Sequence, residues 1–232
     1  MTNNTKRWPL DWFLVEPLGF LGLLESRAAN LIRRKFLRIV AGGLRGRKLA
    51  SAPEGVRPTS DRVRESVFGR LGDLSGAYVL DLFAGTGALG FEAISRGAEK
   101  LVSVDQARGS IGAIEKNAQS LGLTDEVRCL RSNAHGAIRR LRTEGCRFDL
   151  VFLDPPYAQI STVGETMTLL LEAELLNPGA VVVVEGPRKP PLDLPFVGFE
   201  VEEARRYGDT VVTWFYAAHD LPFLGGNPDH EY

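Results

Sequence analysis

Cysteine is nearly absent: Cys129 and Cys146 are the only two in 232 residues. Neither belongs to a C-x-x-C pair or a Cys/His cluster, which excludes a disulfide framework and a structural zinc site of that kind. A reducing cytoplasm is the compartment this usage predicts. Long apolar runs are missing too. The segment from Trp8 to Leu24 comes nearest, but Pro9, Asp11, Glu16 and Pro17 interrupt it and no small-residue cleavage site closes it. Neither a membrane span nor a signal peptide is expected. Net charge is also missing, at a formal −1. What remains is an ordinary globular composition, 44% apolar and 25% charged, in a chain long enough to bury a large core. It has no internal repeat and no low-complexity tract.

The near-zero total conceals a split. Residues 1–70 hold 14 basic against 6 acidic residues, whereas residues 71–232 hold 14 against 23. The basic part is densest between Arg33 and Arg64, where ten cationic side chains meet only Glu54 and Asp61. Such asymmetry points one end of the chain at a polyanion, and Arg38, Arg45, Arg47, Lys48, Arg57, Arg62 and Arg64 are the candidate phosphate contacts. For each of them singly, a solvated basic face is the competing reading.

From Ala77 onward, short β-branched runs alternate with helical stretches. Strands are expected at 78–83, 101–105, 127–131, 148–153 and 180–185, and helices near 88–96, 110–121, 134–142 and 162–175. Continuous apolar strands with helices between them mean a parallel sheet covered on both faces. After the proline-rich stretch 187–195, residues 197–204 and 210–217 read as a hairpin turned by Gly208-Asp209, which closes a doubly wound, mostly parallel seven-stranded α/β sheet of Rossmann-like type. Upstream, 37–40 and 48–50 flank Gly42-Gly43-Leu44-Arg45-Gly46 as a small basic hairpin, and Thr59-Ser60-Asp61 can cap a helix over 62–71. The expected division is therefore an N-terminal extension of unassigned role (1–35), a basic hairpin and helix facing the polyanion (36–72), the α/β sheet domain (73–218) and a mobile tail (219–232). Within the extension, Leu23, Leu24, Ala28, Leu31 and Ile32 would share one face of a short helix. Nothing suggests an obligate oligomer, so a monomer is expected.

The first strand runs into Asp81-Leu82-Phe83-Ala84-Gly85-Thr86-Gly87-Ala88-Leu89-Gly90, a G-x-G-x-x-G, with Asp105 20 residues beyond Gly85. That pattern invites a dinucleotide. Asp81, however, stands four positions before Gly85, where a negative charge suits an ammonium or sulfonium better than a pyrophosphate. S-adenosylmethionine has no phosphate and fits better. Asp81 would face its amino acid portion, Phe83, Ala84, Gly85 and Gly87 would shape the loop so that backbone approaches the ligand, and Asp105 would accept the ribose hydroxyls. Asn133 and the Ala134 backbone would meet the adenine edge, although a helix N-cap explains Asn133 nearly as well. These residues sit at the carboxyl ends of strands, where open α/β sheets bind ligands. His135 has no visible partner and reads as a surface histidine.

Asp154-Pro155-Pro156-Tyr157 follows the apolar run Phe148–Leu153. Proline fixes its own φ and biases the preceding residue toward extended geometry, so the turn is stiff. The Asp154 carboxylate and the Asp154 or Pro155 carbonyls are pure acceptors, which suits the two hydrogens of an aromatic amine, and Tyr157 offers a face for a base to stack on. No metal is required, because the leaving group would be a neutral thioether.

Taken together, these segments resemble the bacterial 16S ribosomal RNA guanine-N2 methyltransferases. The resemblance spans Leu37 to Ala217 and rests on Arg38–Gly43, Arg45–Leu49, Arg57–Glu65, Asp81–Gly90 and Asp154–Tyr157. It implies a class I methyltransferase fold, S-adenosylmethionine as donor, and as partner the 16S rRNA, presented in the small subunit or a late assembly intermediate. The first 35 residues exceed that family's usual start. Three rivals stay open: an adenine-N6 methyltransferase, which shares D-P-P-Y; an NAD-dependent oxidoreductase; and a non-enzymatic RNA-binding assembly protein on the same fold.

Overall fold

Seven strands build one sheet: β1 (Tyr78–Leu82), β2 (Lys100–Asp105), β3 (Val127–Arg131), β4 (Phe148–Leu153), β5 (Leu176–Pro187), β6 (Phe199–Tyr207) and β7 (Thr210–Ala217). Their order is β3-β2-β1-β4-β5-β7-β6. The first five are parallel, and β7 is inserted antiparallel between β5 and β6. This computed structural model describes residues 37–50, 60–192 and 194–218. The expectations for 1–35, for Arg57 and for the tail 219–232 lie outside the described residues. Among those described, no helix is long and apolar enough to cross a membrane.

Among the described residues, five α-helices cover the sheet: α1 (Asp61–Leu71), α2 (Ala88–Ser95), α3 (Arg108–Leu121), α4 (Ala134–Thr143) and α5 (Val163–Glu172). The sheet's alternating side chains divide the core in two. In β4, Leu150 and Phe152 join Phe68, Phe91, Ile114 and Trp214 on one face. Val151 and Leu153 join Leu80, Ile138, Met167 and Phe215 on the other. Helices α1 to α3 therefore supply one layer and α4 and α5 its counterpart. Phe152 is wholly buried and packs 5.6 Å from the Phe68 ring, so truncation to Ala should destabilise by about 3–5 kcal/mol.

Boundaries shift where local chemistry decides. The helix expected over 162–175 begins with a 3-10 turn, Tyr157–Thr162, before α5 starts at Val163. Pro156, extended at φ −51 and ψ 140, is the N-cap of this turn, which closes through Gln159 N–H donating to the Pro156 carbonyl at 2.7 Å. The hairpin strand expected at 197–204 is displaced to Phe199–Tyr207, because β6 pairs with β7 all the way to Tyr207 and Thr210 at the turn. The upstream basic hairpin forms with one bridge, Arg38 to Lys48. It is fastened to α2 by the buried Glu92 carboxylate, which accepts from the Val40 and Ala41 amides at 2.7 and 2.9 Å.

Candidate active site

The chain winds from β1 outward to β3 and then returns to place β4 against the free side of β1. That reversal opens a crevice at the carboxyl ends of the strands. Leu82 pairs with both Val104 and Leu153, so the residues that follow, Phe83, Asp105 and Asp154, emerge on one edge. A cavity of about 990 Å³ lies there. Its lining includes Asp81, Phe83, Ala84, Gly85, Asp105, Asn133 and Ala134, and with them Asp154, Pro155, Pro156 and Tyr157. Every expected cofactor residue except Gly87 thus meets all four expected catalytic residues in one space.

Gly87 needs correcting. It does not line the cavity, and its reason is packing. At φ +78 it starts α2, and a Cβ there would lie 2.7 Å from the Phe91 ring. Gly90 is similar, since its Cβ would meet Leu101 at 2.6 Å. Much of the G-x-G-x-x-G signal is therefore close approach of α2 to its neighbours rather than ligand contact. The turn itself is drawn tight by Phe83 at φ +70 and by Ala84 N–H donating to the Val104 carbonyl at 2.9 Å.

Asp105 holds that turn in place. Its Oδ2 accepts from Gly85 N–H at 2.9 Å and its Oδ1 from Ala107 N–H at 2.7 Å. A carboxylate has about four acceptor positions, so capacity is left for a ligand's hydroxyls. Asp81 is 1% exposed and accepts from Gly90 N–H at 3.2 Å. Burial pushes its carboxyl up to about 8, against the pull of the Gly90 hydrogen bond and helped by the charges of Asp154 and Asp105. Asn133 is the N-cap of α4, its Oδ1 accepting from Gly136 N–H at 2.7 Å, and it lines the cavity as well. The N-cap reading applies, and the place of Asn133 in the cavity lining is what the ligand reading has to rest on.

On the opposite wall Asp154 is half-buried, Pro155 buried and Pro156 exposed. Tyr157 is 49% exposed, its hydroxyl 3.0 Å from Thr210 Oγ1 at the start of β7. A ring tethered at one end with an open face suits stacking. Among the described residues, four acidic side chains line the cavity: Asp81, Asp105, Asp154 and Glu185. This donor set fits the cationic amino acid end and sulfonium of S-adenosylmethionine and opposes a pyrophosphate. Among the described residues, no group of three or more His, Cys, Asp or Glu is arranged to hold a metal ion.

Other site residues had no sequence signal. His135 lines the cavity, with Nε2 3.3 Å from Thr166 Oγ1 and Nδ1 3.5 Å from Glu165, which corrects the reading of an unpartnered surface histidine. Its partners sit on α5, far along the chain. Arg206, Tyr207 and Thr210 also line the cavity, from the hairpin that sequence reading treated only as the closure of the sheet.

The basic set divides. Arg38, Arg45, Arg47, Lys48 and Arg62 are exposed. Arg38 pairs with Asp61 at 3.4 Å, and Arg47 donates to the Ser120 carbonyl at 2.9 Å. Arg64 is corrected: it is fully buried, donating to the Arg38 carbonyl at 2.7 Å and to Asp61 at 2.8 Å. It fastens α1 to the hairpin and is closed to a phosphate.

Comparison with known proteins agrees with this geometry. Residues 37–216 match the family described as Conserved hypothetical protein 95. The chain is 36% identical to ribosomal RNA small subunit methyltransferase D of Haemophilus influenzae over 162 residues, 68% of this chain and 83% of that protein. It is 38% identical to the Escherichia coli K12 protein of the same name over 151 residues, 64% of this chain and 74% of that one. Among solved structures, the Escherichia coli protein yhhF superposes with a TM-score of 0.70 at 32% identity, covering 79% of this chain and 98% of that one. The chain belongs to the Conserved hypothetical protein 95 family, the family of ribosomal RNA small subunit methyltransferase D, and carries its class I methyltransferase fold.

Proposed function

We propose that this chain transfers a methyl group from S-adenosylmethionine to the exocyclic N2 amine of a guanine in 16S rRNA of the small ribosomal subunit. The carrying observation is that the acidic strand-end residues and the Asp154–Tyr157 turn line one cavity. That the chain is an S-adenosylmethionine-dependent rRNA methyltransferase follows from its family; the guanine and its N2 are the finer part of the reading.

Bound S-adenosylmethionine supplies an electrophilic methyl on a positively charged sulfur. Asp81 would hold the ammonium end, Asp105 the ribose hydroxyls, and Asn133 with the Ala134 backbone the adenine edge. The chain's remaining task concerns the amine, a poor nucleophile because its lone pair is delocalised into the ring. Asp154 and the Pro155 carbonyl accept its two hydrogens and turn the lone pair toward the donor, while Tyr157 stacks on the base. Orientation of this kind is worth as much as about 7–11 kcal/mol in the best cases. Taking the base out of its stack costs a few kcal/mol, which contacts from the basic hairpin offset.

The test is methylation of small subunits isolated from cells that lack the protein, followed by nucleoside analysis. N2-methylguanosine should appear with wild-type protein and not with Asp154→Ala. The second reading, adenine-N6 transfer, uses the same acceptors, and N6-methyladenosine in that analysis would replace the first.

A further inference from the structure

We propose that Arg62 and Arg206 clamp the phosphodiester of the nucleotide being methylated, at the mouth of the cavity; this rests on the rRNA methyltransferase reading. The cavity lining is sharply polarised. Asp81, Asp105, Asp154 and Glu185 come from the ends of four strands, whereas the two guanidinium groups come from α1 and β6. Among the described residues, Arg62 and Arg206 are the only Lys or Arg side chains in the lining, so a phosphate finds its charge partners there and not among the strand-end acids. A nucleotide entering this space therefore turns its base inward and leaves its backbone at the rim, where the two arginines stand.

Both arginines are exposed, and neither has a carboxylate partner among the described residues. Most neighbouring cations are already paired. Arg38 meets Asp61, Arg70 meets Glu202 and Glu203, and Arg205 meets Glu203 at 2.6 Å while lying over the Trp214 ring. Consecutive strand residues point to opposite faces, so the pairing that neutralises Arg205 leaves Arg206 unused. The two supports are also tied together before any RNA arrives. Ser66 on α1 hydrogen-bonds the Tyr207 hydroxyl, and Arg70 grips β6 through Glu202 and Glu203. Two forked donors on braced elements suit a phosphate, which guanidinium groups grasp in bidentate fashion.

The test uses full-length protein, small subunits from cells that lack it, and a titration of monovalent salt. Arg62→Ala and Arg206→Ala should each lower kcat/KM for the particle about 10-fold and make its log–log salt dependence shallower by about one. Calorimetric affinity for S-adenosylhomocysteine should stay within about two-fold of wild type, because a rim phosphate contact leaves the cofactor end untouched. Arg206→Lys keeps the charge without the fork, so it should restore the salt slope but only part of kcat/KM. Arg139→Ala, an exposed cation on α4 outside the cavity lining, should match wild type. An Arg206→Ala protein with wild-type kcat/KM and salt slope overturns the clamp alone. Wild-type protein that leaves the particles unmethylated overturns the reading beneath it as well.

Discussion

Asp105 Oδ2 accepts from Gly85 N–H at 2.9 Å, joining the end of β2 to the loop that follows β1. The same carboxylate takes Ala107 N–H at 2.7 Å, so one side chain shapes two backbone turns on the cavity wall. Hydrogen bonds to a charged acceptor are worth about 1.5–3 kcal/mol each, and Asp105→Ala leaves both amides without it. The expected outcome is a lower Tm together with at least about a 100-fold loss of S-adenosylhomocysteine affinity by calorimetry, since loop shape and ligand contact fail together. Asp105→Asn retains one acceptor and should fall between. Unchanged affinity in the alanine variant would remove Asp105 from the cofactor site.

Asp81 makes a prediction in pH. Its folded value lies near 8 against an ordinary 3.8, chiefly because it is buried. Below about pH 4 the folded and unfolded chains both hold this proton. Above that, the unfolded chain releases it and the folded one does not, so this contribution to stability declines until about pH 8, by a total on the order of 5 kcal/mol. Asp81→Asn does not titrate. Its Tm relative to wild type should therefore climb between pH 5 and pH 8, while its affinity for the cationic cofactor drops. A Tm difference that is flat with pH would contradict the burial argument. The native protein thus accepts an unfavourable carboxyl, and a ligand ammonium is what would favour its ionised form.

The parallel part of the fold was readable because its strands are buried on both faces and therefore appear as unbroken apolar runs, as in Leu150-Val151-Phe152-Leu153. The acids at the strand ends were readable for the same reason: Asp81, Asp105 and Asp154 interrupt or close such runs. Arg64 was misread because one basic residue among many carries no mark of burial. Its neighbour Val63 is also buried, and only the packing of α1 against the hairpin separates Arg64 from the exposed Arg62. His135, Arg206 and Thr210 escaped because each reaches the site through pairing between distant segments, which no local pattern encodes.

Tyr157 and Thr210 should behave as a unit. The 3.0 Å hydroxyl contact joins the Asp154–Tyr157 turn to the β6–β7 hairpin and fixes where the ring stands. Tyr157→Phe keeps the ring and loses the tether, and about a 5-fold fall in kcat/KM is expected if a hydrogen bond worth about 1 kcal/mol sets its position. Tyr157→Ala also loses base stacking, worth about 1–3 kcal/mol, and should fall about 10- to 100-fold. Thr210→Val should mimic Tyr157→Phe, and combining the two should add nothing further. Strict additivity in that double-mutant cycle would show that the hydroxyl contact has no role in turnover.

Attachment of the basic hairpin can be broken without touching a charge. Gly42 takes φ +83, and a Cβ at this position would sit 1.8 Å from the Ser95 carbonyl oxygen. That contact is with backbone, so it cannot be relieved by a side-chain rotation. Gly42→Ala must lift the loop off α2, surrendering the bonds from Gly43 N–H to the Ser95 carbonyl at 2.7 Å and from Leu44 N–H to Ser95 Oγ at 3.0 Å. Glu92 would then hold only part of the hairpin, through Val40 and Ala41. Because Arg45 and Arg47 ride on this loop, methylation of small subunits should fall at least about 10-fold, the equivalent of one or two lost phosphate contacts. Affinity for S-adenosylhomocysteine should be preserved, since Gly42 does not line the cofactor cavity. Glu92→Ala should reach the same end with a larger loss of stability, about 3–5 kcal/mol, because it also strands Arg96, 3.0 Å away. Full activity on the particle in the Gly42→Ala protein would mean that the hairpin's placement, and with it the role assigned to its cations, does not matter for substrate capture.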